Sequence, residues 1–475
     1  MDDMGIATIL LLSLTLASST VSSVQLVSYS CDLTWLSQVP NASLEASFAF
    51  SGDGAHMAIG ELEQGSLLFG PSYPNGTNNL IYITPQPVPQ ILFAPISPAP
   101  FGPWRIWMSA TGYVIAAPMK EGGVQLFSPV TQQFEFEWKF PGTQEYNTLG
   151  VSGDGRFVPT LVRNGTVNTL YLLSAAYGNI TWSYRFAPYA GNITSIQPVA
   201  VSHDGARIGA LVGRSVFVFS ARSNQTLWSK VLDNPQYLFM NQGGNYVAII
   251  GNSDITVYSA TTGAIERTFT LDRTWGGFAL PDQSFSFSND GSTIGIIDGG
   301  TLKVWDRASG AELFTKSGID QIQVGSSTVS ETPDSVSMSQ NGTIIAVGSE
   351  QRAVFVFDRS GNQLCKSYDG PSNYGVLVTA AKVSDDGIHV AAFAQDTAAL
   401  FTITPQYIFL ILAGSAVAAA TIILGYRGRK RLGKIRNRLG RLTGRLDKRR
   451  DRRENGGRGE NPTGPFGPPH TTDRY

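Results

Sequence analysis

The residues of this 475-residue chain that could do chemistry are few: four histidines, two cysteines and a set of aspartates. His56, His203 and His389 each stand within two residues of a recurring Ser-x-Asp-Gly segment, and His470 lies near the C-terminus. An imidazole beside a carboxylate is a usual general acid–base pair. Here, however, Asp53, Asp154, Asp204, Asp290 and Asp386 are accounted for by turn geometry, because a short acidic side chain hydrogen-bonds its own turn backbone. The histidines beside them are expected to be solvated turn residues. The sequence contains no His-Glu-x-x-His, no zinc-type cysteine cluster and no Gly-x-Ser-x-Gly elbow. Neither an enzyme nor a bound cofactor or metal is expected.

The chemistry that the sequence does offer is modification. Asn41, Asn75, Asn164, Asn179, Asn192, Asn224 and Asn341 each open an Asn-x-Ser/Thr sequon, all upstream of residue 405. Such acceptors belong to surface loops of exported proteins. The near match Asn461-Pro462-Thr463 is disqualified by its proline. Cys31 and Cys365 can pair in an oxidising compartment, or remain two partly buried thiols.

The elements that must position these residues come from a repeat. Ser-x-Asp-Gly, tolerating Asn, Thr or Gly for Asp and Asn for the first Ser, recurs at 51–54, 109–112, 152–155, 202–205, 241–244, 288–291, 339–342 and 384–387. Glycine supplies the positive φ of a hairpin turn, and an alternating apolar strand follows each copy. A second strand lies 14 to 18 residues beyond each Gly, marked by Phe69, Phe127, Leu173, Phe219, Tyr258, Trp305, Phe357 and Phe401. A period of about 48 residues with four short strands per unit predicts β-propeller blades. The expected fold is all-β: an eight-bladed β-propeller, with seven blades as the alternative, followed by one C-terminal transmembrane helix and a basic cytoplasmic tail.

Charge sets the expected topology. Residues 1–426 carry 19 Lys or Arg against 31 Asp or Glu, whereas 427–475 carry 16 against 5. The apolar stretch from Tyr407 to Tyr426 divides them, long enough to span a bilayer as a helix. Arg427, Arg429, Lys430, Arg431 and Lys434 follow at once and place the tail in the cytoplasm by the positive-inside rule. Ile6 to Leu16 supplies the apolar core of an export signal, although the segment before it is acidic. The expected organisation is a signal peptide at 1–23, an extracellular propeller at 24–404, a transmembrane helix at 405–426, a basic amphipathic helix at 427–454 and a disordered tail at 455–475.

Two segments depart from the repeat. Pro85 to Pro103 is an apolar, proline-stiffened connector unsuited to a helix or a central strand, and a candidate docking surface. Gly318 to Asp334 is a shorter insertion. The eighth unit meets the apolar span before an outer strand can form, so the Trp35 strand is expected to supply that edge and close the ring. Trp35 would then take the part of Trp138, Trp182 and Trp228, and Cys31 and Cys365 would fall in neighbouring blades.

The turn motif, together with Val304-Trp305-Asp306-Arg307-Ala308-Ser309-Gly310-Ala311-Glu312-Leu313-Phe314, resembles the WD-repeat-like propellers and the quinoprotein dehydrogenase-like superfamily. The resemblance implies a propeller across nearly the whole ectodomain and leaves function open, since such folds serve enzymes, assembly factors and scaffolds alike. The expectation is a single-pass surface glycoprotein whose propeller binds or scaffolds a protein or glycan ligand. The tail would rest on anionic lipid, and Gly414 and Ala418 offer a packing face for a homo-oligomer. Nucleic acid is not expected as a partner. A membrane-tethered quinoprotein-type oxidoreductase and a surface receptor or sensor are the alternatives.

Overall fold

A computed structural model describes residues 29–38, 47–61, 78–84, 90–96, 106–118, 123–140, 147–188, 198–272, 281–319, 321–324, 327–349, 353–368, 379–394 and 397–405. The chain divides into two units, Met1–Pro405 and Gln406–Tyr475. The expected leader, the apolar span and the basic cluster from Arg427 to Lys434 lie outside the described residues. Among the described residues, no helix is long and apolar enough to cross a membrane.

Each repeat forms a four-stranded antiparallel sheet, and eight such sheets are present among the described residues. In the fourth, strand A is Val199–Val201, B is Arg207–Val212, C is Ser215–Ser220 and D is Gln225–Val231. The first strands of neighbouring sheets touch one another around the ring, as Val199–Val201 touches Tyr237–Met240 and Ser47–Phe50 touches Thr379–Val383. Strand A therefore lines the axis of a propeller and strand D forms its rim. The A–B and C–D turns emerge on one face, here the turn face; the B–C and D–A connections emerge on the other, the connection face.

Central strands are apolar on both alternations because each blade is covered twice. Ile208, Ala210 and Val212 pack toward blade 3 with Leu161 and Leu170. Leu211, Val216 and Val218 pack the other way, against Val247 and Tyr258 of blade 5. Rim strands bury less, and Gln133–Lys139 of blade 2 alternates exposed and partly covered residues.

The ring closes through the N-terminus. Tyr29–Gln38 is the outer strand of blade 8 and pairs antiparallel with Thr397–Pro405, with Trp35 opposite Leu400. That register position, just before a bulge in strand C, is held by Trp182, Trp228, Arg267, Phe314 and Cys365 in other blades. In blade 2 it belongs to Phe136, so Trp138 stands two residues further along than the sequence reading placed it. Cys31 and Cys365 are joined, their Cα atoms 5.6 Å apart, within the usual span of a disulfide.

Blade 1 departs from expectation. Its third strand is Asn78–Thr84, with Ile83 opposite Met57, the place that Phe69 was expected to take. Leu80, Ile81 and Ile83 are fully buried there, whereas Phe69 lies outside the described residues. The proline-rich segment contributes the rim strand Gln90–Ile96, with Pro95 opposite Asn79. A rim strand has one unpaired edge, so it tolerates the missing N–H. Within the insertion that follows blade 6, Gln321–Val324 and Ser327–Ser330 form a small hairpin.

Breaking the disulfide by Cys31→Ser should cost about 2–4 kcal/mol of stability. The midpoint of thermal unfolding should fall to that of the reduced wild-type protein, and the variant should not respond to reductant.

Candidate functional site

The repeated turn is a self-contained hydrogen-bonded unit. In blade 4, Ser202 Oγ donates to Asp204 Oδ1 (2.6 Å) and accepts from Arg207 N (3.0 Å), while Ala206 N donates to the same carboxylate oxygen (3.0 Å). Blades 1, 3, 6 and 8 repeat this with Asp53, Asp154, Asp290 and Asp386; blade 7 substitutes Asn341. Burial by itself raises the Asp204 carboxyl. The Ser202 hydroxyl, the Ala206 amide and the Arg207 charge outweigh it and hold Asp204 below the usual carboxylate range. These aspartates are structural acceptors, as the sequence suggests.

The second residue of the motif joins blade to blade. Gly52 N donates to Ala110 O (2.7 Å), Ala110 N to Gly153 O (2.9 Å), Asp154 N to His203 O (2.9 Å) and His203 N to Gln242 O (2.7 Å). Gly243 N then donates to Asn289 O (2.9 Å), Asp290 N to Gln340 O (3.0 Å), Gln340 N to Asp385 O (2.9 Å) and Asp385 N back to Gly52 O (2.7 Å). This belt of main-chain bonds runs once around the axis and meets itself.

Side chains at this second position point inward. Asn289 Nδ2 donates to Asp385 Oδ1 at 2.6 Å, a chord from blade 6 to blade 8 that passes blade 7 inside the ring. His203 lies where a Cβ on Gly153 would sit, and Asp385 lies over Gly52. Read around the ring, Gly52, Ala110 and Gly153 form a small-residue arc, facing a polar crescent of His203, Gln242, Asn289, Gln340 and Asp385. The sequence reading passed over these residues because it followed what repeats. The signal was the one position of the motif that does not.

On the same face a cleft of about 520 Å³ lies between blades 4 and 5, lined by Asp204, Arg207, Arg222, Leu227, Asn245 and Thr261 among others. Arg207 braces its floor, donating to Gly244 O (2.5 Å) and Asn245 Oδ1 (3.2 Å). Arg222 is exposed and makes no hydrogen bond or ion pair among the described residues. Leu227 beside it is 38% exposed. An unpaired guanidinium next to an apolar side chain and a hydroxyl suits recognition of an acidic group on a folded partner.

The histidines are not the solvated turn residues that the sequence suggested. The residue two beyond each turn glycine wedges against the glycine of the next blade: His389 on Gly54, His56 on Gly112, Phe157 on Gly205 and Tyr246 on Gly291. Glycine is required there both by its positive φ and by the ring that fills the Cβ position. His56 also stacks on Tyr82 (5.7 Å between centroids), and its Nδ1 lies 2.5 Å from the Tyr82 hydroxyl. Burial pushes the Tyr82 phenol far above its ordinary value, so it keeps its proton, and the His56 tautomer sets which of the two groups donates. This contact was invisible in the sequence because the strand carrying Tyr82 was misplaced.

The predicted modification sites are dispersed. Asn179, Asn224 and Asn341 are exposed on the turn face and Asn164 on the connection face; Asn41, Asn75 and Asn192 lie outside the described residues.

No family model matches the chain, and no curated protein matches it. Among solved structures 1700 chains match. One is the C-terminal WD40 domain of Sif2, with a TM-score of 0.51 at 12% identity, covering 78% of this chain and 98% of that one. The fold is that of an eight-bladed β-propeller, similar to that WD40 domain. At this identity the likeness concerns the fold alone, and the site must be argued from its own geometry.

Burial lowers the His56 pKa more than the nearby Asp53 carboxylate raises it. The unfolded chain, with its histidine near 6.5, therefore takes up a proton before the folded protein does. His56 should add stability that is complete above pH 6.5 and is lost as pH falls toward the lowered folded value. Denaturant titrations across that window should show a shallower pH dependence for His56→Phe than for wild type. At the axis, Gly153→Ala should displace His203 and cost roughly 1–3 kcal/mol, read in the same assay.

Proposed function

We propose that the protein is a binding or scaffold module, a single-pass glycoprotein at the cell surface whose propeller presents its turn face to a protein partner and carries out no reaction. The observation that carries this reading is the division of labour in the turn motif. Its fixed residues hold each turn, the main chain of its variable second residue carries the belt from blade to blade, and the side chains at that same position build an asymmetric polar mouth on the face that also holds the Arg222 cleft. A preorganised ring spends little ordering entropy on association. The surface location rests on the sequence: an export-type leader, an apolar stretch of bilayer length, a basic flank and seven sequons.

The native protein should be extracted in mild detergent and its intact-complex mass recorded. The expected result is a companion polypeptide that is lost when Arg222 and Asn289 are changed to alanine together, plus glycan mass that falls by one chain in Asn224→Gln. A monomer whose mass is that of the polypeptide alone would overturn the proposal.

A further inference from the structure

The seam between blades 3 and 4 holds a buried cation that no carboxylate among the described residues answers. Arg163, at the end of strand Phe157–Asn164, stands opposite Asn168 at the start of Val167–Ser174. Leu161 and Leu170, two residues away on each strand, pack into this seam with Phe186, Val199 and Val212, so both side chains face it. Arg163 is 9% exposed and Asn168 fully buried. Arg163 Nε donates to Gly165 O at 2.9 Å, but its Nη1 has no partner, and neither does Nδ2 or Oδ1 of Asn168.

A guanidinium cannot shed its charge, and a buried unpaired ion costs several kcal/mol. Elsewhere on the connection face the same problem is solved internally: Lys303, buried between blades 5 and 6, reaches Asp272 at 2.5 Å and Asp298 at 3.1 Å. Residues 155–203 contain no Asp or Glu, and Asp154 and Asp204, which flank that stretch, belong to the turn face. Among the described residues, no carboxylate pairs with Arg163.

We propose that Arg163 and Asn168 form a binding site for a carboxylate that bears an adjacent hydroxyl. The three unmet atoms dictate that chemistry. Nη1 and Nδ2 are donors that a carboxylate satisfies together, whereas Oδ1 is an acceptor that needs a donor from the same ligand. A halide meets the first two and leaves the third unmet. The exposed turn at 164–166 adjoins the site and is the covering that a ligand has to move, since the unmet atoms themselves have almost no accessible surface. This ligand enters from the connection face, apart from the cleft on the turn face.

Isothermal titration of the full-length chain in mild detergent, at constant ionic strength, should detect glycolate binding about tenfold tighter than acetate, the gain expected of one added hydrogen bond. Chloride should not compete. Arg163→Met, which keeps the apolar stem, should abolish binding of both acids, and Asn168→Leu should retain acetate binding while losing the preference for glycolate. Absence of binding to wild type, equal competition by chloride, or undiminished binding in Arg163→Met would each overturn the proposal. Should Arg163→Met fail to fold, a glycolate preference that survives in Asn168→Leu would overturn it as well.

Discussion

Closure of the ring depends on Tyr29–Gln38 pairing with Thr397–Pro405, strands that stand some 360 residues apart in sequence. In the seven other blades a C–D connection ties the rim strand to its neighbour, so the blade is a local meander. Blade 8 has no such connection, because its strand C ends at Pro405 and its strand D begins at Tyr29. Without the pairing, strand C of blade 8 would present a free edge, and sheet edges are where chains pair with the wrong partner. Cys365 stands at the register position where Trp182 and Trp228 donate indole N–H bonds to Ala221 and Ala260 on the next blade's C–D turn. Blade 8 offers no turn to grip, and the covalent bond to Cys31 takes the place of that contact.

Closure also explains why the turn motif is so strict. The serine, buried in every blade that has one, serves two turn bonds at once, and the glycine leaves room for the preceding blade's wedge. Both demands are local to a seam, so they recur eight times and are readable from spacing alone. The number of blades, the strand order and the borrowed N-terminal strand were legible for that reason.

Blade 1 was misread where locality fails. Residues 62–77 separate its second and third strands, so a strand sought at the usual offset fell on Phe69, while Asn78–Thr84 paired instead because Leu80, Ile81 and Ile83 can be buried between two blades. The contacts of His56 were lost with it, since its partner Tyr82 sits on the displaced strand. The axial mouth was hidden differently. Gly52, Ala110, Gly153, His203, Gln242, Asn289, Gln340 and Asp385 have no common chemistry, and only the ring brings them together.

The mouth is nevertheless not free to vary independently of the scaffold. His203 occupies the space over Gly153 and Asp385 the space over Gly52, so the polar crescent can end in these two side chains only because the arc beside them is small. Enlarging Gly52 or Gly153 would push on a side chain whose backbone N–H and C=O are both committed to the belt. Recognition and closure thus share atoms at the axis. A partner that binds the crescent stiffens the ring, and any change that loosens the ring alters the geometry that the partner meets.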